Sequence, residues 1–380
     1  MMRRSIYITP LFLACIVLLT FGCCKTEQLE KPKLAITYDV ISAKESTKAA
    51  SPFPETEKFV SWARFLEKDK TWAQDRASSI PYIDKSIISY DNASNCWKNS
   101  DMTHYWPKQG SLTFFAASPE TISNHISIST ENGLEISDYD VNSQKDIDIM
   151  VADIAADKKA NDTSIGNWKK GVSTIFRHKL AKVAGFEFNL HKDYSNGHDG
   201  TSGNAYTSGD MVFIIKEIKI NNIIQSGSFA SGTNPTSIGN WTADKSTTPC
   251  SYTWYSNGNG TQVKYDSDTF TAIRGNLEYI YILPQQLDKT TSNPDWNNTP
   301  NIEVKYVKRT YSRSWYYPYN TTYSDETITT HASLYDVFAN GRILINRQIT
   351  FRITINLDAN LIYWAPDQKD WTTGEFDINT

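Results

Sequence analysis

The sequence predicts an all-β protein, and three observations carry that prediction. Between Ile343 and Leu357 every second position is apolar except Arg347 (Ile343, Ile345, Ile349, Phe351, Ile353, Ile355, Leu357), and Leu344, Asn346, Gln348, Thr350, Arg352, Thr354 and Asn356 fill the gaps. That period of two gives a strand one apolar and one polar face, and the apolar face needs a partner layer. Asn, Ser and Thr are plentiful and long helical patterns are missing, which favours strands and turns. Aromatics make up 13% of the chain, with eleven tryptophans, so cores can be built despite a hydrophobic fraction of 39%. A chain of 380 residues is long enough for two domains.

The N-terminus reads as an export signal. Arg3 and Arg4 precede the apolar run Leu11 to Leu19, which is too short for the about 18–20 residues that a bilayer crossing needs. The run closes as Leu19-Thr20-Phe21-Gly22-Cys23, a small residue directly before a cysteine, as in the lipobox of bacterial lipoproteins. Residues 1–22 are therefore expected to be a signal peptide and Cys23 the lipidated residue, and acyl chains hold a protein on a membrane at about 0.8 kcal/mol per buried methylene. Without residues 1–22 the chain carries 36 basic and 42 acidic residues, a formal charge of −6, which argues against nucleic acid as a partner. Cys96 and Cys250 lie far apart in sequence and are expected to be free and buried.

After a polar tether, Leu34, Ile36, Tyr38 and Val40 alternate with Ala35, Thr37 and Asp39, a compact strand with one apolar face. Ser42 to Pro52 is small, polar and linker-like, and its Lys44 and Lys48 are open to a trypsin-like protease. Residues 23–52 thus form an N-terminal arm. From Phe53 to about residue 200 the pattern gives a first β domain, with strands at Lys58–Leu66, around Ile80–Tyr90, at Gly110–Ser118 (ended by Pro119), at Ile147–Val151 and at Val172–Leu190. The apolar phase of the last one slips near Ala184-Gly185, as at a bulge.

The Gly-, Ser-, Asn- and Asp-rich stretch His191–Gly209 marks a boundary, and residues 201–380 form a second β domain. Its first strand, Val212–Ile224, slips phase at Lys216-Glu217. Ser226–Pro249 reads as loop. Strands follow at Ser251–Tyr255, Thr269–Arg274, Tyr279–Pro284 and Asn301–Thr310, then the strand at Ile343–Leu357, a further strand at Leu361–Trp364 and a turn at Pro366–Lys369.

Catalytic patterns are scarce. There is no His-Glu-x-x-His, no Gly-x-Ser-x-Gly, no Gly-Lys-Ser/Thr phosphate loop and no pair of Cys-x-x-Cys motifs, so no enzyme activity and no cofactor are expected. His191, Asp193, His198 and Asp199 match neither a helical ligand pair nor a calcium loop and read as a solvated loop. His178, on the apolar face of its strand, reads as a hydrogen-bonded core histidine. The run Trp315-Tyr316-Tyr317-Pro318-Tyr319 offers two readings. It is either a long hairpin whose rings cover the sheet, or a set of exposed aromatics flanked by Arg309 and Arg313 that suits a sugar or protein contact.

Taken in order, several segments resemble the fimbrillin family, the subunits of type V pili of Gram-negative gut and oral anaerobes. They are the lipobox at Cys23, Tyr105-Trp106-Pro107 with Leu112–Pro119, Asp146–Ala152 ahead of Asp153, Phe176–Val183, Leu283-Pro284-Gln285, and Ile353–Leu357 leading to Asp370-Trp371. The resemblance implies two transthyretin-like β-sandwich domains in tandem and assembly by strand exchange. In that scheme a protease cuts behind the removable strand of Leu34, Ile36, Tyr38 and Val40, and a neighbour's strand replaces it. It further implies a structural or adhesive pilus subunit held in the outer membrane by its lipid. Its partners would be other pilus subunits and a host or bacterial surface glycan or protein. The competing reading is a glycan-binding surface lipoprotein that never polymerises. Two departures stand out. The family's usual cleavage follows arginine, whereas the linker offers Lys44 and Lys48, and the tail Thr372–Thr380 has only Phe376 and Ile378 in alternation. A weak donor tail points to a terminal subunit, such as a tip or accessory pilin, or to donation by residues before Trp371.

Overall fold

The computed structural model describes residues 34–43, 50–144, 146–160, 171–316, 318–357 and 361–370. Cys23, Lys44, Lys48, Tyr317 and the tail from Trp371 lie outside the described residues. The chain is all-β, and among the described residues helix is confined to short turns such as α1 (Trp72–Asp75) and α2 (Leu334–Val337).

The earlier strands are β1 (Tyr38–Ala43), β2 (Ala50–Pro52), β3 (Phe59–Leu66), β4 (Ile80–Asp91), β5 (Cys96–Asn99) and β6 (Ser111–Ser118). β7 (Ile126–Ser129), β8 (Gly133–Asp140), β9 (Met150–Ala152), β10 (Ala155–Lys158) and β11 (Val172–His178) follow. Then come β12 (Ala181–Leu190), β13 (Met211–Ile223), β14 (Ser226–Ala230), β15 (Asn240–Ala243), β16 (Cys250–Val263) and β17 (Thr271–Ile273). The series ends with β18 (Ile280–Ile282), β19 (Gln285–Gln286), β20 (Asn301–Arg313), β21 (Thr321–Ser333), β22 (Arg342–Ile343), β23 (Arg347–Asn356) and β24 (Leu361–Asp370).

The first large sheet runs β10-β6-β3-β4-β5-β1-β11-β9, and β9 also pairs with β6, so the order returns on itself. Alternation decides which side chains line its inside. Phe59 and Ala63 of β3 and Leu112, Phe114 and Ala116 of β6 point into one apolar cluster, while Val60, Trp62, Phe115 and Ala117 point out into another. The outer cluster is capped by the sheet β15-β14-β8-β7. β6 is therefore buried along its whole length, as Ser-Leu-Thr-Phe-Phe-Ala-Ala-Ser allows, with its hydroxyls among the buried polar groups.

A second pair of sheets, β17-β12-β23-β24 and β16-β13-β20-β21, encloses a third cluster built on Phe186, Phe188, Phe213, Ile218, Ile302, Phe351 and Ile353. Strand membership crosses residue 200 in both directions. β12 lies in this later pair, whereas β14 pairs with β8 of the earlier one and carries β15 on its other edge.

The expected phase slips are real. The β12–β23 register shifts between Val183 and Gly185, and β13 shifts between Ile215 and Glu217 against both of its neighbours. Other expectations need correction. Ser226–Pro249 is not all loop, because Phe229 and Trp241 anchor β14 and β15 in the core, and two isolated aromatics among Gly, Ser and Thr leave no visible period. The alternating run divides at Asn346, whose φ of 59° turns the chain, so the long strand starts at Arg347 and Arg342–Ile343 pairs elsewhere. No turn interrupts Pro366–Lys369. β24 runs straight through Pro366 at the edge of its sheet, where a missing N–H costs nothing on the open side. Cys96 and Cys250 are free, as expected, but half-buried instead of buried.

Candidate functional site

β1 is held differently on its two edges. On one side it runs parallel to β11 in continuous register, Tyr38 opposite Val172 through Ser42 opposite Phe176, and the Val172 N–H donates to the Thr37 carbonyl at 2.8 Å. On the other side three separate segments meet the arm in succession. The Ile36 N–H donates to His104 O at 2.8 Å and the Trp106 N–H to Leu34 O at 3.0 Å. Tyr38 pairs with Trp97 of β5, and Ile41 to Ala43 pair with Pro52 to Ala50 of β2. In this order β1 is the link between β5 and β11.

Its side chains supply part of the interior. Ile36, Tyr38 and Val40 are buried in the inner cluster with Phe53, Phe59, Trp97, Phe114 and Phe176, whereas Leu34 is 43% exposed. The Tyr38 ring meets Phe59 and Phe114 edge-on at 5.6 and 6.0 Å, and its hydroxyl donates to Ser61 Oγ at 3.1 Å. Burial pushes the Tyr38 phenol far above its ordinary value, and the Ser61 bond offsets this only in part. Each such burial contributes about 1.5–3 kcal/mol. The seat also depends on Gly171, which has a φ of +116° and a backbone so close to β1 that a Cβ there would stand 2.1 Å from the Thr37 carbonyl oxygen. The residues that separate β1 from β2 are 44–49, so Lys44 and Lys48 fall between two strands that pair with each other.

The aromatic run forms the end of the β20–β21 hairpin. Trp315 is 89%, Tyr316 83% and Tyr319 58% exposed, so these rings do not cover the sheet. They cannot, because β20 and β21 stay paired out to Arg313–Thr321 and the rings lie beyond that last pair. Below the tip the hairpin is braced. Arg309 donates Nε and Nη2 to the two Asp325 carboxylate oxygens at 2.7 and 2.9 Å and lies 3.8 Å from the Tyr323 ring centre. Tyr206 stacks on Tyr311 at 4.2 Å.

The loop ahead of β13 is tied to the hairpin. The Arg313 N–H donates to Ser208 Oγ at 2.8 Å, Gly209 N–H to Tyr311 O, and Tyr311 N–H to Asp210 O. Asp210 in turn accepts from the Thr207 N–H at 2.6 Å and from Asn196 Nδ2 at 2.7 Å, with His198 Nδ1 at 2.9 Å. Thr207, Ser208, Arg313, Ser314, Trp315 and Tyr319 line a shallow hollow of about 520 Å3 at this end of the molecule. Sequence reasoning placed the rings and Arg313 but missed Thr207 and Ser208, which lie more than a hundred residues away in the chain.

His178 is buried, with its Nδ1 2.7 Å from Asp148 Oδ2. Asp193 accepts from the Ser195 and Gly197 N–H groups and closes its own loop. Among the described residues no group of three or more His, Cys, Asp or Glu is placed to hold a metal, and no helix is long and apolar enough to cross a membrane.

Paired sheets, an N-terminal strand lodged in a sheet of its own chain, and an aromatic hairpin in solvent define a β-rich protein. The chain belongs to the fimbrillin-like family, whose model matches residues 65–356. Among solved structures it is similar to a fimbrial protein of Bacteroides vulgatus, with 17% identity over 89% of this chain and 99% of that one and a TM-score of 0.62. Looser similarities include a cell adhesion protein of Bacteroides uniformis (15% identity, 90% and 99% covered, TM-score 0.43) and the tip fimbrial protein Mfa3 of Porphyromonas gingivalis (10% identity, 90% and 100% covered, TM-score 0.38). No curated protein matches the chain.

Proposed function

We propose that this chain is a structural or adhesive subunit of a type V pilus. It is exported as a lipoprotein on Cys23 and assembles by protease-triggered strand exchange, with its mass divided between two transthyretin-like sandwich domains. The observation that supports this reading most is the seat of β1. A strand whose one edge runs along a continuous ladder, and whose alternate side chains fill fitted positions, has the geometry by which one chain adds a strand to another. Cleavage between residues 43 and 50 frees β1 from the rest of the chain, and the vacated ladder of β11 is an edge that only another strand satisfies.

Removal of β1 also exposes Phe53, Phe59, Trp97 and Phe176, an apolar surface that demands cover. The incoming strand therefore needs apolar residues at alternate positions with an aromatic hydroxyl in the middle, as in Ile36-x-Tyr38-x-Val40. In this scheme the partners are other pilus subunits, the location is the outer membrane and then the pilus, and the chain acts as an acceptor at a tip or accessory position. The exposed hairpin rings favour a second reading, a glycan-binding surface lipoprotein that does not polymerise.

Trypsin treatment of mature protein separates the two. Mass spectrometry should find cleavage at Lys44 or Lys48, and the cleaved protein should exchange its arm for an added peptide that carries the Ile36-x-Tyr38-x-Val40 pattern. Cleaved protein that keeps its arm and takes up no peptide at any concentration contradicts strand exchange. For the anchor, Cys23→Ala should move the protein out of the membrane fraction, and retention there contradicts lipidation.

A further inference from the structure

We infer that the hollow at the end of the β20–β21 hairpin binds an acidic sugar, a pyranose ring carrying a carboxylate. The hydroxyls that line it already have partners inside the protein. Thr207 Oγ1 donates to Asp210, Ser208 Oγ to the Arg313 carbonyl and Ser314 Oγ to the Tyr316 carbonyl. The nearby N–H groups are engaged too: Arg313 N–H on Ser208 Oγ, Ser314 N–H on Asn320 O and Tyr316 N–H on Ser314 Oγ.

Among the described residues that line the hollow, the Arg313 guanidinium is the one cationic donor. Among the described residues it has no carboxylate partner, whereas Arg309 on the same strand is fully engaged by Asp325. Arg313 is exposed and lies 5.4 Å from the Tyr319 ring centre, beside the exposed Trp315.

A ligand complementary to this arrangement has one anionic acceptor for the guanidinium, an apolar face for the indole and phenol rings, and remaining polar groups that stay in water. A carboxylated pyranose has all three. A peptide fits less well, because its backbone amides would meet N–H and hydroxyl groups that are already engaged. The hollow is preformed, since the 207–210 loop and the hairpin are tied by the bonds described above, and its size is that of a small-molecule site.

This inference deepens the adhesive reading, and its test is independent of assembly because it uses the uncut, monomeric full chain. Sialyllactose, an oligosaccharide ending in glucuronic acid, and neutral lactose are titrated by NMR or calorimetry against wild type, Arg313→Gln and Trp315→Ala. Melting temperatures confirm that both variants fold. Wild type should bind the two acidic sugars at least tenfold more tightly than lactose. Arg313→Gln should abolish that preference, and Trp315→Ala should weaken acidic-sugar binding about tenfold or more. Equal affinity for neutral and acidic sugars, no binding of any sugar, or acidic binding that survives both substitutions overturns the proposal. A poly-glutamate peptide that binds in place of the sugars overturns it in favour of a protein partner.

Discussion

At the scale of single residues, two positions carry more than their size suggests. Gly171 lets β11 lie against β1: its φ of +116° disfavours any side chain, and a Cβ would meet Thr37 O at 2.1 Å. Gly171→Ala should therefore destabilise the first sheet by at least about 1–3 kcal/mol, read as a lower melting temperature with faster protease release of the arm. A melting temperature unchanged within a degree contradicts the close approach.

Asp210 organises the loop that borders the hollow. Burial by itself would raise its carboxyl, but bonds from the Thr207 N–H and hydroxyl and from Asn196, with His198 beside them, hold it below the ordinary 3.8. A carboxylate depressed on folding adds stability that is fully present above its unfolded value. That stability is lost as pH falls through the folded one. The loop should accordingly stay ordered at pH 5 to 7 and loosen only below the ordinary carboxylate range. Asp210→Asn should remove this acid dependence and cost about 1–3 kcal/mol at neutral pH. Acid titration followed by the NMR signals of Thr207 and Ser208 checks both.

At the scale of elements, β1 is the clearest case of an arm that was legible in the sequence. Ile36, Tyr38 and Val40 alternate without interruption, and all three are buried. Its role in the sheet was less legible, because nothing local to Leu34–Val40 says that β11, more than 130 residues later, is its parallel partner. Tyr38→Ala should cost about 3–5 kcal/mol through the cavity it leaves, and Tyr38→Phe about 1 kcal/mol through the lost Ser61 bond. Denaturant unfolding of the two variants checks the order, and equal costs would mean that the ring is not seated in the core.

The hairpin was legible as aromatic and partly outward, since three consecutive rings cannot share one strand face. The hollow beside it was not, because it needs Thr207 and Ser208 from the loop ahead of β13. β14 and β15 were missed because β8 holds β14 and β14 holds β15, and Phe229 and Trp241 alone give no period. β24 was cut short at Pro366 because the rule that proline ends a strand applies to the interior of a sheet, and β24 lies at an edge.

At the scale of the whole molecule, the chain visits its later sheets with β12 and β13, returns to the earlier ones with β14 and β15, and leaves again with β16. The sheets are thereby tied by the chain in both directions. The order of the first sheet, with β1 between β5 and β11, makes one short segment responsible for completing it. We propose that this segment leaves before the subunit joins a neighbour.

A disulfide between β1 and its parallel partner tests that claim most directly. Ile41 and Ile175 stand opposite each other in register and are only half-buried, so Ile41→Cys with Ile175→Cys can lock the arm in place without emptying the core. After trypsin cleavage, the oxidised variant should keep its arm and take up no added peptide with the Ile36-x-Tyr38-x-Val40 pattern, and reduction should restore the uptake shown by cleaved wild type. Uptake that proceeds equally well in the locked, cleaved protein would contradict the account.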